Sequence, residues 1–298
     1  MSNTNERKTS TDGLRVLSLC GGVETGLYAL QQLGIPVKEY HTYEILPEAI
    51  AVSQYHFPFV VHHGDLYEAD FDQFKGFDLL FVSTCCQSLS RVRIENKQVN
   101  NGLEGKSGIF FKAIECLKAI QPKYFMFENV IPSKEEDLKT MTECIGGDPL
   151  LVDSAIFSAQ SRERYYWTNI PLGELPEESP LVLQDVMENN VNEKYFYKKE
   201  FEIIDMNKRV CAELKVNTME MNRRIYNPEF KCCTLTCVNG GYHIKSVMDH
   251  GRPRKLTPIE YERLQGLPDG YTDVMLNRRK ISDTKRYSMM GNGWNEPT

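Results

Sequence analysis

A thiol, a carboxyl group and two guanidinium groups stand in short motifs near apolar runs. In FVSTCCQSLS (81–90), Cys86 follows a strand-like stretch ending at Val82. A cysteine at a strand end, near the positive end of a following helix or beside an arginine, ionises more readily and can act as a nucleophile. FENV (127–130) sets Glu128 behind another apolar run, where partial burial would raise its pKa and let it hold a proton for a ring nitrogen. SAQSRERYYW (158–167) carries Arg162 and Arg164 two residues apart. In an extended segment such residues point to the same side, so both are expected to face the cleft and bind a base oxygen or phosphate. Each motif also has a plainer reading: a packed thiol, a solvated acid, a solvated basic loop.

A second group lies earlier in the chain. LSLCGGVETG (17–26) contains Gly21, Gly22 and Gly26, which permit a tight turn and close approach of a ligand. Glu44 ends one apolar run, where a carboxylate can take both hydroxyls of a ribose, and Asp65 ends the next, where it could accept from an adenine amino group. Together these describe an adenosine site. They do not name the cofactor, because GGVETG lacks the G-x-G-x-x-G spacing and a nicotinamide dinucleotide would use the same ribose carboxylate.

The elements that must position these groups alternate. Strand-like runs (LRVLSLC, VKEYHTYEI, FVVHHGDL, FDLLFVS, YFMFENV, LLVDSAIF) are separated by helix-like segments such as TGLYALQQLG, PEAIAVSQYH and SGIFFKAIECLKAI. This predicts an α/β fold with a parallel sheet, and ligands in such sheets bind beyond the carboxyl ends of the strands. SKEEDLKTMTECIGG reads as a helix with a capping box from Ser133 to Glu136 and a closing Gly pair. Near Gly173 the alternation stops in GELPEESP, which sets a boundary. The expected organisation is a polar tail (1–13), a catalytic and cofactor-binding domain (14–180), a more irregular domain (181–253) and a return segment (254–298). In the last, Thr257 is the expected N-cap and Pro258 the first helical residue.

The 298 residues are 41% hydrophobic and 26% charged, an ordinary composition for a folded protein. No stretch approaches a membrane span and the N-terminal residues lack a secretory pattern, so a cytoplasmic location is expected. Nine cysteines without an export signal predict free thiols, with Cys116 and Cys144 as packing residues. A net charge of −6 argues against a surface coated for nucleic acid but leaves room for local patches.

CQSLS, FENV, QSRER, the TLT of 234–236, RKLTPIEYERLQGLP and GNGW, in this order, resemble the DNA cytosine-5 methyltransferase family, of bacterial or phage type, over nearly the whole chain. The resemblance implies a Rossmann-like sheet that binds S-adenosylmethionine, a smaller target-recognition domain within 181–253, and double-stranded DNA between them. Carried over position by position, it makes Cys86 the nucleophile and Glu128 the catalytic glutamate, with Arg162 and Arg164 holding the base and the nucleophile region. Gly22, Glu44, Asp65 and Asn292 match cofactor-motif positions, Cys20, Ile45, Leu66 and Cys85 fall where other cofactor-lining residues sit, and Trp294 lies within the matching GNGW. The implied reaction adds a thiolate to carbon 6 of a flipped cytosine and transfers methyl to carbon 5. Residues 91–108 would form a closing loop. Basic clusters at 207–209, 222–224 and 252–255 would meet phosphates.

The sequence departs from the family where Val82, Ser83, Thr84 and Cys85 replace a glycine-rich stretch ending in proline. Cys20 replaces an aromatic residue, and Glu24 stands where a small residue is usual. These departures motivate a second reading, a degenerate relative that binds DNA or cofactor without turnover; a nucleotide-dependent oxidoreductase is a third, which gives no role to Cys86 with Glu128. Cys232, Cys233 and Cys237 with His243 or His250 are too irregularly spaced to predict zinc, and no metal is expected.

Overall fold

The computed structural model describes residues 13–84, 89, 102–238 and 241–295. Its centre is a seven-stranded sheet. Strands β1 (Leu14–Leu19), β2 (Val37–Tyr43), β3 (Val61–His62), β4 (Leu79–Val82), β5 (Tyr124–Asn129), β6 (Leu150–Asp153) and β7 (Glu163–Thr168) are ordered β3-β2-β1-β4-β5-β7-β6. The pairs among β1 to β5 are parallel, whereas β7 runs antiparallel to both β5 and β6. The expected parallel sheet is therefore mixed. ERYYWT, absent from the expected strands, supplies the reversed one.

Burial on both faces explains the apolar runs. Val16 of β1 with Leu79 and Phe81 of β4 joins one core. The alternating residues Leu17, Leu19, Leu80 and Val82 join the other. Helices α1 (Thr25–Gln32) and α2 (Pro47–His56) cover the first face, through Leu27, Leu30, Ala49 and Val52. On the second face lie α3 (Ile109–Ile120) and α4 (Glu135–Ile145), through Phe110, Ala113, Ile114, Met141 and Ile145. Cys116 is wholly enclosed there, and burial pushes its thiol up to about 12, which makes it inert at neutral pH.

Some local expectations change. The Ser133 capping box does not form: α4 begins only at Glu135, Lys134 precedes it in an extended conformation, and no side chain caps the helix. The Ser133 N–H instead donates to the Leu89 carbonyl, 3.0 Å away. FVVHHGDL contributes only two strand residues and LLVDSAIF four, the latter turning into a 3-10 helix at Ser154.

A second sheet follows in the chain: β8 (Phe201–Ile203), β9 (Val210–Leu214), β10 (Arg224–Tyr226), β11 (Ser246–Asp249) and β12 (Arg252–Lys255), in the order β12-β11-β10-β9-β8. A short helix, α5 (Glu220–Arg223), leads into β10. The strand-like CCTLTCV is not a strand; Cys232 makes a single bridge to Gln160. The return segment contains α6 (Pro258–Leu264), a hairpin of β13 (Met275–Leu276) and β14 (Arg279–Lys280), and α7 (Asp283–Asn292). Here the expected cap is present: the Thr257 hydroxyl accepts from the Glu260 N–H at 3.2 Å, and the Glu260 carboxylate accepts from the Thr257 N–H at 2.7 Å.

Candidate active site

Strand order reverses between the parallel neighbours β1 and β4, the place where an open sheet leaves a crevice at its carboxyl edge. The β1 turn borders it. Cys20 adopts φ 60° and Gly22 φ 61°, and the Gly22 N–H donates to Glu44 Oε2 at 3.0 Å. Glu44 Oε1 accepts from the N–H groups of Ile45 and Leu46 at 2.7 and 2.8 Å. The carboxylate is thus fixed between the ends of β1 and β2. Ile45 beside it is 63% exposed and offers an apolar face, whereas Leu66 is buried in the core. Asp65 is exposed, and its Oδ1 caps the short helix after it by accepting from the Tyr67 N–H at 2.9 Å.

Across the crevice, β4 and β5 are tied at their tips. The Ser83 hydroxyl donates to Glu128 Oε2 at 3.3 Å, and the Asn129 amide donates to Thr84 Oγ1 at 3.3 Å. Arg164 on neighbouring β7 pairs through Nε with Glu128 Oε1 at 3.1 Å, both side chains nearly buried. Glu128 therefore accepts from a hydroxyl on one strand and a guanidinium on another. Cys85 and Cys86 continue from Thr84 and lie outside the described residues, as does most of the expected closing loop.

Arg162 takes a different position from Arg164. It precedes β7, so the period of an extended strand does not carry it to the same side. Its side chain is buried, donating through Nη1 to the Leu235 carbonyl at 2.9 Å and through Nη2 to the Gly293 carbonyl at 3.0 Å. The expectation that both arginines face the cleft is corrected: Arg162 fastens the TLT segment to the end of the return segment. Gln160 assists. Its amide accepts from the Leu235 N–H and donates to Gln265 Oε1, each at 2.9 Å, while Asn295 donates to the Leu264 carbonyl at 2.7 Å. Asn292 is exposed at the end of α7, and Trp294 reaches back to meet Phe81 edge-on, ring centroids 5.3 Å apart.

Most of the expected phosphate-binding residues are paired with acids. Lys208, Arg223, Arg224 and Arg252 lie 3.7, 3.5, 2.6 and 2.9 Å from Asp205, Glu213, Glu220 and Glu193. Arg254 is fully buried on Glu260 and Asp249 and cannot meet a phosphate. Among the described residues no group of three or more His, Cys, Asp or Glu side chains is placed to hold a metal, and no helix is long and apolar enough to cross a membrane.

Ser83, Asn129 and Glu24 belong to this site and had no assigned function in the sequence. For Ser83 and Asn129 the available signal was position, one residue from a strand end. For Glu24 it was a charged residue inside a glycine turn.

The family model for C-5 cytosine-specific DNA methylases matches residues 14–295. The chain belongs to this family. Members of the C-5 methylase family use S-adenosylmethionine. The chain is 27% identical over 260 residues to the type II methyltransferase M1.ScrFI of Lactococcus lactis subsp. cremoris, covering 79% of this chain and 64% of that one. It is 32% identical over 166 residues to the orphan methyltransferase M.SPRI of Bacillus phage SPR, covering 51% of this chain and 37% of the phage protein. The chain thus spans less than two thirds of these relatives. In fold it is similar to Entamoeba histolytica methyltransferase EhMeth (TM-score 0.70, 17% identity, 96% and 95% of the two chains). It is similar also to S. pombe Dnmt2 methyltransferase (TM-score 0.67, 19% identity, 95% of each chain).

Proposed function

We propose that the chain transfers a methyl group from S-adenosylmethionine to carbon 5 of a cytosine flipped out of double-stranded DNA, with Cys86 as nucleophile. The observation that carries the reading is the Glu128–Arg164 pair, which stands beside Ser83 on the strand that leads to Cys86. The residues at the β1 and β2 ends fit the cofactor. Glu44 is held in place for ribose hydroxyls, the Gly22 turn keeps that edge open, and exposed Ile45 suits the face of an adenine ring. Cys20 follows β1 and Asp65 caps the short helix beyond β3, while Trp294 lines the β1/β4 crevice from the return segment. When bound, the cofactor supplies an electrophilic methyl group.

The protein's own groups supply the remainder. Carbon 5 of cytosine is a weak nucleophile, so a thiolate adding at carbon 6 is needed to enrich it. Glu128 would steady the ring at nitrogen 3, and Arg164 would orient Glu128 while offering a donor to the base oxygen. Arg162 acts at one remove, as a positioning residue. Residues 181–253 are assigned to target recognition and 254–298 to completing the catalytic domain. The homologous enzymes are bacterial and phage proteins, which favours action in the cytoplasm of a bacterial or phage-infected cell.

The test is methylation-sensitive sequencing of DNA from cells expressing the chain, beside labelled methyl transfer in vitro. Methylcytosine at a defined site is expected. Unmodified DNA in both assays, from folded protein at high concentration, would instead favour the non-catalytic relative.

A further inference from the structure

We propose that the Glu24 carboxylate recognises a cationic centre of the cofactor, its ammonium or its sulfonium; this rests on the cofactor reading above. Glu24 lies in the β1 turn at the start of α1, with φ 60°, an uncommon conformation for a residue with a side chain. It is 1% exposed. Its Oε2 accepts from the Tyr40 hydroxyl at 2.7 Å, whereas the buried Oε1 has no hydrogen-bond partner. The carboxyl group lines a narrow cavity at the β1/β4 crevice together with Ser18, Gly21, Phe81, Ser83 and Trp294. Gly21 makes room for it, since a Cβ there would stand 2.4 Å from Oε1.

The charge around this carboxyl is unbalanced. From β2 it faces Tyr40 and Glu44, and from the segment after α6 it faces Tyr271. The hydroxyls of Ser18 and Thr42 lie near enough to favour its ionised form, without a well-directed bond to Oε1. None of these groups is a cation. Burial raises the Glu24 pKa to about 7, so near neutrality it is poised between its two forms. A buried carboxylate is costly without a counter-charge. The cofactor brings two cations, and the aromatic walls of Phe81 and Trp294 suit one of them as well. On the cofactor reading the ribose lies at Glu44, so the cationic arm is the part left to enter between β1 and β4.

Isothermal titration calorimetry between pH 6 and 8 tests this with the whole chain, Glu24→Gln and Tyr40→Phe. The probes are S-adenosylmethionine, S-adenosylhomocysteine, which keeps only the ammonium, and methylthioadenosine, which has neither cation. Wild type should gain roughly tenfold in affinity over Glu24→Gln at pH 8, about one pKa unit of coupling, and little at pH 6. Comparing the two proteins cancels titration of the ligand's own amino group. A gain for both charged probes identifies the ammonium, and a gain for S-adenosylmethionine alone identifies the sulfonium. Equal affinities of wild type and variant, or an equal gain for methylthioadenosine, would overturn the proposal. If Glu24→Gln fails to fold, Tyr40→Phe decides: losing the donor should move the pH midpoint upward, and an unmoved midpoint counts against Glu24. Failure of wild type to bind any probe removes the cofactor reading and this proposal together.

Discussion

Arg164 Nε stands 3.1 Å from Glu128 Oε1 where two antiparallel strands meet, with both side chains almost withdrawn from solvent. Removing one partner of a buried ion pair costs roughly 3–5 kcal/mol, because the other charge stays behind unpaired. Arg164→Ala should therefore lower stability by that order and methyl transfer by about 10²–10³-fold. Glu128→Gln combined with Arg164→Met should recover most of the stability and none of the activity. Denaturant unfolding beside single-turnover methyl transfer separates the two effects.

Cys86→Ser should abolish methyl transfer, whereas Cys85→Ser should not. Equal loss in both, read from labelled methyl incorporation, would mean that the wrong thiol or the wrong mechanism has been assigned.

The two candidate helix caps should behave differently. Thr257→Ala breaks a formed capping box and should cost about 1 kcal/mol. Ser133→Ala should leave the start of α4 unchanged, since that helix begins at Glu135 with no side-chain cap at its N-cap Lys134. Thermal melts of the two variants check this directly.

Gly291 sits where a Cβ would fall 2.3 Å from the Thr236 carbonyl carbon, main chain that cannot step aside. Gly291→Ala should destabilise by roughly 1–3 kcal/mol or more through overpacking. It should also weaken cofactor binding, since the Arg162 bonds to this segment move with it. Lower melting temperature with unchanged cofactor affinity would uncouple the seam from the site.

Glu24 gives stability a pH dependence of known sign. Its pKa rises from 4.5 to about 7 on folding, so the folded state holds the proton longer. The contribution is full below about pH 4.5 and is lost as pH climbs to 7, by roughly 3 kcal/mol at about 1.4 kcal/mol per unit. Burial lowers the pKa of His62 and His63, which acts in the opposite sense over an overlapping range. The informative quantity is therefore the stability of wild type minus that of Glu24→Gln, which should fall between pH 5 and 7.

Much of the large sheet was readable because its strands are buried on both faces: LRVLSL and LLFV are apolar throughout and end in chemically distinctive residues. β7 is only partly legible: SAQSRERYYW reads as an extended segment, but ERYYWT begins with charges and does not stand out as a strand. Carrying the extended segment back to Arg162 puts that side chain in the cleft, whereas alternation holds only within a strand and the strand starts one residue later. The second sheet was illegible for a physical reason. Its strands are short and carry charged residues such as Arg224, Arg252 and Arg254, and the partner of Arg252, Glu193, comes from a distant position. A local pattern cannot announce a partner that only the fold supplies. Glu24 stands out in the sequence as a departure, but its bond from Tyr40 and its cavity wall from Trp294 come from other parts of the chain.

The Tyr271 hydroxyl donates to the Val23 carbonyl at 3.0 Å, and Trp294 packs on Phe81. One wall of the turn after β1 is therefore built from residues that leave the ribosome some 250 positions after it. During synthesis the nascent sheet must wait with that crevice unfinished, its apolar lining available to chaperones or to misassociation. Ligand-binding competence should consequently arrive as a late, abrupt event in biogenesis rather than growing with chain length.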